Sequence, residues 1–348
     1  MSNISVTDAR GLFTKMLIAV YRERVTPTSF LRSFFPVKES STKELAIEVQ
    51  RGTEKIAVDV ERGTEGNRNS FSRSTEKIFV PPYYREYFDA TELDLYDRLF
   101  GSTSEIDSDT FQSFLEAVAD KLRMLQDKIE RAYELQCAQV LETGIVTLEA
   151  GVNIDFKRKS ASLKDNTATP WTGSYDPYLQ YEAGGDFLRQ VGKSEGSVIN
   201  AIHGSLAMRA LLANTFVKER GPLTNINLDA IRAPQKNSVG ASLFGRITAG
   251  SYSVNLWTYP EFYDNASGVS TPYINPKKVI MLPEAPKFVL GFAAVPQLLT
   301  TGIAAKKGAY LIGNYVDERN SKHIFDIKSA GVAIPVGVDQ IYTMQVIS

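Results

Sequence analysis

The chain has 348 residues, with 39 basic against 40 acidic side chains and a net charge of −1. Hydrophobic residues make up 43% and charged residues 23%, the balance of a globular protein with a full core; no stretch reaches the roughly 18–20 uncharged apolar residues of a membrane span. The charge balance argues against a dedicated nucleic-acid binder, which concentrates basic residues to release counterions. If nucleic acid is involved, a chain of this charge surrounds it rather than gripping it.

The N-terminal run is bracketed by Arg10, Lys15, Arg22 and Arg24 and has no small-residue cleavage site, so it does not fit a signal peptide. Val6, Ala9, Leu12, Met16 and Val20 have the spacing of a short amphipathic helix, and the protein is expected to begin in the cytosol. An aromatic anchor follows at Phe30, Phe34 and Phe35, broken by Pro36. Residues 40–80 then form a long charged hairpin. Ala46 and Val49, then Ile56, Val58 and Val60, mark two strand-like runs, and Arg-Gly-Thr-Glu occurs at 51–54 and again at 62–65. From Lys38 to Lys77 eight basic residues balance eight acidic ones. Such a ribbon has few large apolar side chains and cannot fold alone. It must lie on its own domain or on a neighbouring copy.

Pro81 and Pro82 end the ribbon, and Tyr83, Tyr84, Tyr87 and Phe88 form an aromatic cluster suited to anchoring its base. Residues 107–142 predict one helix of about ten turns, with Asp107 or Ser108 as N-cap and Gly144 as stop. Phe111, Leu115, Val118, Leu122, Leu125, Ile129, Ala132 and Gln136 recur in steps of four and three. That period suits a coiled coil or a long helix laid across a sheet, and the strand-rich remainder favours the sheet. GVNIDFKRKSASL alternates like a strand pair. Residues 175–220 look helical with a break near 192–196. GASLFGRI, GSYSVNLWTYPEFY, PKKVIMLPE, FVLGFAAV and the closing GVAIPVGVDQIYTMQVIS look like strands, the last returning to the sheet beside the long helix.

Catalytic equipment is sparse. His203 and His323 are too few for a metal cluster, and the single cysteine, Cys137, lies within the long helix as a small hydrophobe. Gly192-Lys193-Ser194 has the tail of a phosphate-binding loop, but Phe187 stands where its first glycine belongs and the preceding strand is replaced by Tyr181-Glu182-Ala183-Gly184-Gly185. Asp59 and Glu61 share a solvated strand face and nominate no general acid. The expectation is a non-enzyme with no cofactor and no metal.

Several short motifs, in order, carry a resemblance. They are Phe34-Phe35, Phe79-Val80-Pro81-Pro82, Ala138 to Gly144 (AQVLETG), Val152 to Phe156 (VNIDF), and Trp171-Thr172 to Asp176-Pro177. Asn200 to Gly204 (NAIHG) with Asn214-Thr215, Leu256 to Tyr263 (LWTYPEFY), Pro272 to Pro276 (PYINP) and Val279 to Pro283 (VIMLP) complete the set. In this order the chain resembles the major capsid proteins of tailed bacteriophages, in the branch typified by the lambda capsid protein (the phage major capsid protein E family). The resemblance covers nearly the whole chain.

It implies an α+β, HK97-type capsid fold. The expected parts are an N-terminal arm at 1–38, an extended loop at 39–82, and a peripheral domain at 83–174 carrying the spine helix 107–142. An axial domain at 175–305 and a return to the peripheral domain at 306–348 complete it. The function implied is a head protein assembling hexamers and pentamers of an icosahedral shell around double-stranded DNA, bound without sequence specificity. The loop would lie on the next subunit through Arg51, Glu54, Lys55, Arg62 and Glu65. The chain lacks the helical N-terminal extension that some members use as built-in scaffold, so a separate scaffolding protein and a portal are expected partners, with a decoration protein as a further candidate and no membrane. The location implied is the virion, and the host cytoplasm during assembly. Some relatives cross-link this loop through lysine and asparagine. Lys43 and Lys55 lie in the right region, but no asparagine is identifiable. The alternatives are an encapsulin-like compartment, a tail or baseplate component, or an enzyme acting through Lys193.

Overall fold

Two apolar runs, Val198–His203 and Lys278–Pro283, occupy the centre of the structure because both of their faces are covered. The structure is a computed structural model that describes residues 27–49, 75–91, 108–148, 153–173, 175–220, 235–236, 240–299, 302–317, 319 and 322–348. After a 3-10 turn at Arg32–Phe34 come β1 (Val37–Glu39), β2 (Leu45–Val49), β3 (Thr75–Phe79), β4 (Tyr84–Thr91) and the long helix α1 (Ser108–Glu142). Next are β5 (Ile145–Val146), β6 (Ile154–Asp155), β7 (Leu163–Asp165), α2 (Pro177–Gln190), β8 (Val198–His203), α3 (Ser205–Ala213) and α4 (Thr215–Arg220). Then follow β9 (Gln235–Lys236), β10 (Ser242–Ala249), β11 (Tyr252–Thr258), β12 (Phe262–Asp264), β13 (Ser270–Pro272), β14 (Lys278–Pro283) and β15 (Val289–Phe292). The chain closes with β16 (Val295–Leu299), β17 (Gly302–Lys306), β18 (Leu311–Asp317), β19 (Lys322–Ser329), β20 (Gly331–Ile334) and β21 (Tyr342–Gln345).

The main sheet has seven strands in the order β7-β21-β14-β8-β11-β10-β9. Its register pairs Ala201 with Met281 and with Leu256, so side-chain parity carries across the strands. Ile199, Ala201, Val254, Leu256, Val279, Met281 and Met344 pack toward α2 with Tyr178, Tyr181 and Leu188. The alternate residues Ile202, Ile280 and Leu282 turn to a second core with Phe30, Leu31, Phe35, Ile129, Tyr133 and Leu141. α2 starts at Asp176, whose carboxylate accepts from the Tyr178 amide at 2.9 Å, with Pro177 in the first turn. Gly184 and Gly185 lie within it, where a Cβ would meet the Met281 sulfur at 2.6 Å and the Tyr252 ring at 2.5 Å. The paired glycines let this helix sit close on the sheet.

α1 lies across β4, β19 and β20 rather than in a coiled coil. At its first described side chains it buries a stripe, with Val118 and Leu122 against Phe88 and Phe325. Over the last turns the stripe widens to more than half of the helix: Tyr133, Glu134, Gln136, Cys137, Ala138, Val140 and Leu141 are all buried, while Leu135, Gln139 and Glu142 on the remaining face are half-buried. The helix stops at Gly144, in the left-handed region at φ +78°, with its amide donating to the Val140 carbonyl at 3.0 Å. The Arg158 stem lies where a Cβ at Gly144 would go. The Arg158 guanidinium donates to the carbonyls of Leu141 at 3.0 Å, Ile341 at 3.2 Å and Ser162 at 3.2 Å. Burial lowers its pKa to about 10. One arginine thus joins the helix end to β21 and to the segment before β7.

Several expectations change. Residues 175–220 are not helical throughout: after α2 the run Val198–His203 is a central strand, because β-branched residues buried on both faces favour a sheet over a helix. GVNIDFKRKSASL does not pair with itself; β6 pairs back to β5, and β7 joins the main sheet beside β21. The aromatic cluster at 83–88 is split by strand alternation. Tyr84 packs on Tyr133 and Phe88 stacks on Phe325, while Tyr83 and Tyr87 face solvent. β2 pairs with β3, Leu45 opposite Phe79 and Val49 opposite Thr75; Ile56, Val58 and Val60 lie outside the described residues, as does the amphipathic stretch at Val6–Val20. β16 to β19 had no counterpart in the expectations. β21 does return to the sheet beside α1, its Thr343 hydroxyl donating to the Leu141 carbonyl at 2.9 Å.

Replacing Gly144 by alanine forces a left-handed residue against the Arg158 stem. The expected cost is about 1–3 kcal/mol, read as a lower urea midpoint of the unassembled subunit. An unchanged midpoint would contradict this account of the helix stop.

Candidate functional site and assembly surfaces

The chemistry-bearing groups weighed from the sequence do not come together among the described residues. His203 is fully buried; Nε2 accepts from the Tyr181 hydroxyl at 2.6 Å and the Nδ1–H donates to the Trp257 carbonyl at 2.9 Å. These bonds fix a neutral tautomer, and burial lowers the ring pKa to about 4. His323 stacks on Phe325 with ring centroids 4.3 Å apart. Cys137 is buried, and burial pushes its thiol well up. Gly192-Lys193-Ser194 forms the C-terminal end of α2: the Gly192 amide donates to the Phe187 carbonyl, and the Ser194 amide and hydroxyl donate to that of Leu188. A phosphate nest needs the N-terminal end of a helix, where amides are free; here carbonyls converge. Among the described residues no group of histidine, cysteine and carboxylate side chains could hold a metal ion.

What the residues build instead is a set of joints and uncovered surfaces. The first joint holds the arm. Glu134, buried in α1, accepts from the Leu31 amide at 2.8 Å, the Arg32 amide at 3.1 Å and the Tyr259 hydroxyl at 2.8 Å. The Thr28 hydroxyl completes the chain at 2.5 Å from Tyr259. Burial raises the Glu134 pKa, opposed by these same hydrogen bonds. Around it Phe30 packs on Trp257 and Tyr259, and Phe35 stacks on Phe288 at 4.9 Å. The aromatic anchor is thus real, with Phe30 and Phe35 buried and Phe34 half-buried beside them.

The second joint holds the hairpin base. β1 runs parallel to β15, the Ser40 amide donates to the Phe292 carbonyl at 2.7 Å, and the Ala294 amide donates to that of Thr42 at 2.9 Å. Leu45 is buried over Gly291, where a Cβ would crowd its methyl at 2.7 Å. Arg51, Glu54, Lys55, Arg62 and Glu65, the expected contact residues, lie outside the described residues, as do Asp59 and Glu61; Lys43 is exposed beside the base.

The sheet β18-β19-β4 is covered by α1 on one side, and among the described residues no element lies over the other. That other side presents Tyr83, Arg85, Tyr87 and Tyr315, with the tyrosines 48%, 62% and 45% exposed. Under them Asp326 is fully buried, held by Arg85 at 2.9 Å and Lys328 at 3.1 Å, and Arg85 also donates to the Tyr315 hydroxyl at 3.3 Å. Tyrosines around a fixed arginine are the composition of an interface centre. Sequence reasoning missed this face and Glu134. The alternation of Tyr83, Arg85 and Tyr87 could have revealed the face.

Buried joints and exposed strand surfaces fit a subunit built to contact others. The chain belongs to the family described as phage major capsid protein E, which matches residues 13–345. No curated protein matches it. Among solved structures it is similar to a protein assigned as the capsid protein of an E. coli CFT073 prophage, at 14% identity over 96% of this chain and 98% of that one, with a TM-score of 0.64. It is also similar to the mature capsid of bacteriophage PhiM1, at 11% identity over 93% and 88%, with a TM-score of 0.50. The fold is the α+β, HK97-type capsid fold, and the chain is a capsid shell protein of the virion, used in many copies.

Two outcomes test the joints. Glu134→Ala leaves two amides and a hydroxyl without their acceptor, at about 3 kcal/mol or more, and tryptic cleavage after Arg32 should accelerate at least tenfold. For His203 the unfolded ring takes up its proton below about pH 6.5 and the folded ring only near 4. Stability is therefore present above 6.5 and falls as pH drops toward 4, by at most about 1.4 kcal/mol per pH unit. Urea midpoints of His203→Gln should lose that slope; parallel curves for variant and wild type would refute it.

Proposed function

We propose that this chain is the head subunit that forms the hexamers and pentamers of an icosahedral shell around double-stranded DNA. In this reading residues 1–38 are an arm, 39–82 an extended loop, 83–174 and 306–348 a peripheral domain on the spine helix, and 175–305 an axial domain facing the capsomer centre. The supporting observation is the hairpin base. The pair Val49–Thr75 is the outermost described rung, and 25 residues, 50–74, stand between its two ends. A continuous ribbon of about a dozen residues each way would reach about 40 Å, long enough to lie on a neighbour.

Arg51, Glu54, Lys55, Arg62 and Glu65 would then form intersubunit pairs. Each exposed pair is worth roughly 0–1 kcal/mol, and many such contacts in one shell let errors anneal before the lattice locks. The near-neutral chain limits repulsion between copies. A separate scaffolding protein and a portal would guide closure in the host cytoplasm. A decoration protein would bind outside, and the DNA would be enclosed without sequence-specific contact. The chain itself would do no catalysis, consistent with the buried, neutral His203 and the helix-end position of Lys193.

Arg51→Glu with Arg62→Glu should abolish shells while the unassembled subunit keeps its circular dichroism and melting temperature. Negative-stain microscopy of the chain co-expressed with its neighbouring genes makes the comparison. Normal shells from the double variant would overturn the loop assignment.

A further inference from the structure

β18 is the terminal strand of its sheet, and among the described residues no strand pairs with its outer side. Its seven residues, Leu-Ile-Gly-Asn-Tyr-Val-Asp, contain no proline and no lysine, and the only charge stands at the end, on Asp317. The opposite edge strand of the same sheet, β4, carries Arg85, Glu86 and Asp89 within eight residues. Soluble proteins blunt open edges with charge, proline or very short strands. β4 follows that rule and β18 does not. Ile312 is 56% exposed and Tyr315 45% exposed, so apolar area accompanies the open backbone.

The strand is also complementary to itself. Turned antiparallel about Asn314, a second β18 sets Ile312 opposite Val316 of the partner subunit, and Gly313 opposite Tyr315 of the partner subunit. Asn314 meets its own counterpart, and Leu311 meets Asp317. Apolar stands on apolar, an aromatic ring covers a glycine, and two amides meet at the axis; no like charges face each other. Any other two-fold centre within the strand shortens the ladder. A two-fold contact is isologous, so one patch serves both copies.

We propose that β18 is a self-pairing edge that joins two copies of this chain across a two-fold axis at Asn314, merging two three-stranded sheets into one of six. The occupant is therefore a second copy, through the same strand. This rests on the shell reading above and adds a contact distinct from the extended loop. The pairing supplies backbone hydrogen bonds, and Ile312 and Tyr315 supply the buried area.

Cysteine cross-linking tests it, because the one native thiol, Cys137, is fully buried. Residues directly opposite in an antiparallel pair have Cβ atoms about 4.5–5.5 Å apart, close enough for a disulfide after a small adjustment. Shells are assembled under reducing conditions with the neighbouring genes and then oxidised. Asn314→Cys should give dimers in shells and not in unassembled subunits, and Ile312→Cys with Val316→Cys should do the same, while Ile312→Cys alone should stay monomeric. Intact shells of either design with no dimer overturn the proposal and leave the shell reading standing. Equal dimer from Ile312→Cys alone overturns the register and hence the axis. Ile312→Lys gives an independent reading: shell yield should fall at least tenfold with the subunit's melting temperature unchanged, and undiminished yield overturns the proposal. If the wild-type chain makes no shells, the shell reading falls and this contact with it.

Discussion

The constraint on which the rest depends is the burial of the last turns of α1. Where a helix is covered, its polar side chains lose solvent and must find partners inside the protein; Glu134 and Gln136 are buried, and Gln139 and Glu142 are half-buried beside them. Here they find the backbone of other segments. Glu134 takes the amides of Leu31 and Arg32, and Gln136 takes the Ala333 amide at 3.2 Å. Gln139 takes the Thr147 amide at 3.1 Å, and Glu142 takes the Asn275 amide at 3.3 Å and the Lys278 ammonium at 2.7 Å. Arg158 returns the service at the helix C-terminus, where carbonyls are left without helical partners. Arm, small sheet, main sheet and C-terminal strand are thus all registered against one rod.

That arrangement explains what the sequence made legible and what it hid. The rod itself was visible, since its four-and-three period and its glycine stop are local. The aromatic anchor was visible for the same reason; the hairpin base was not, since β1 on β15 and Leu45 hold it rather than the expected aromatic cluster at 83–88. Glu134 was not visible either, because its meaning lies in a partner 103 residues away and within the helix it looks like an ordinary solvated position; Gln136 fell on the predicted stripe, but its partner 197 residues away did not show. β8 was hidden by its neighbours, a short apolar run between two helices that periodicity cannot assign. β18 and β19 were hidden by composition: glycine, asparagine and charged residues interrupt the alternation that marks a half-buried strand. The contact residues on the extended loop were named from charge and resemblance, and the described residues reach only the loop's base.

The family and the fold agree with this division of labour. Apolar packing around α1 and the main sheet makes the body stiff, as two cores share the sheet between them. The uncovered parts are backbone edges, tyrosines and exposed charges. Each offers a contact weak enough to break and reform. A shell needs both properties at once: a body that does not deform, so that angles between copies are defined, and contacts that are individually reversible.

The treatment of edges carries the argument one step further. The small sheet β1-β15-β20 ends at β20, and there the Gln136 side chain bonds the Gly331 carbonyl and the Ala333 amide, closing the edge from within. β4 is guarded by charge. In one chain, then, one edge is closed by a buried side chain and another by ionised groups. β18 has neither device and carries exposed isoleucine and tyrosine. An unguarded edge is a liability for a monomer that must stay single. For a subunit that must meet its copies it would be a contact surface, on the strand at the opposite edge of its sheet from β4. Loop and edge would then be two separate contacts, and a closed lattice built from one kind of subunit needs more than one.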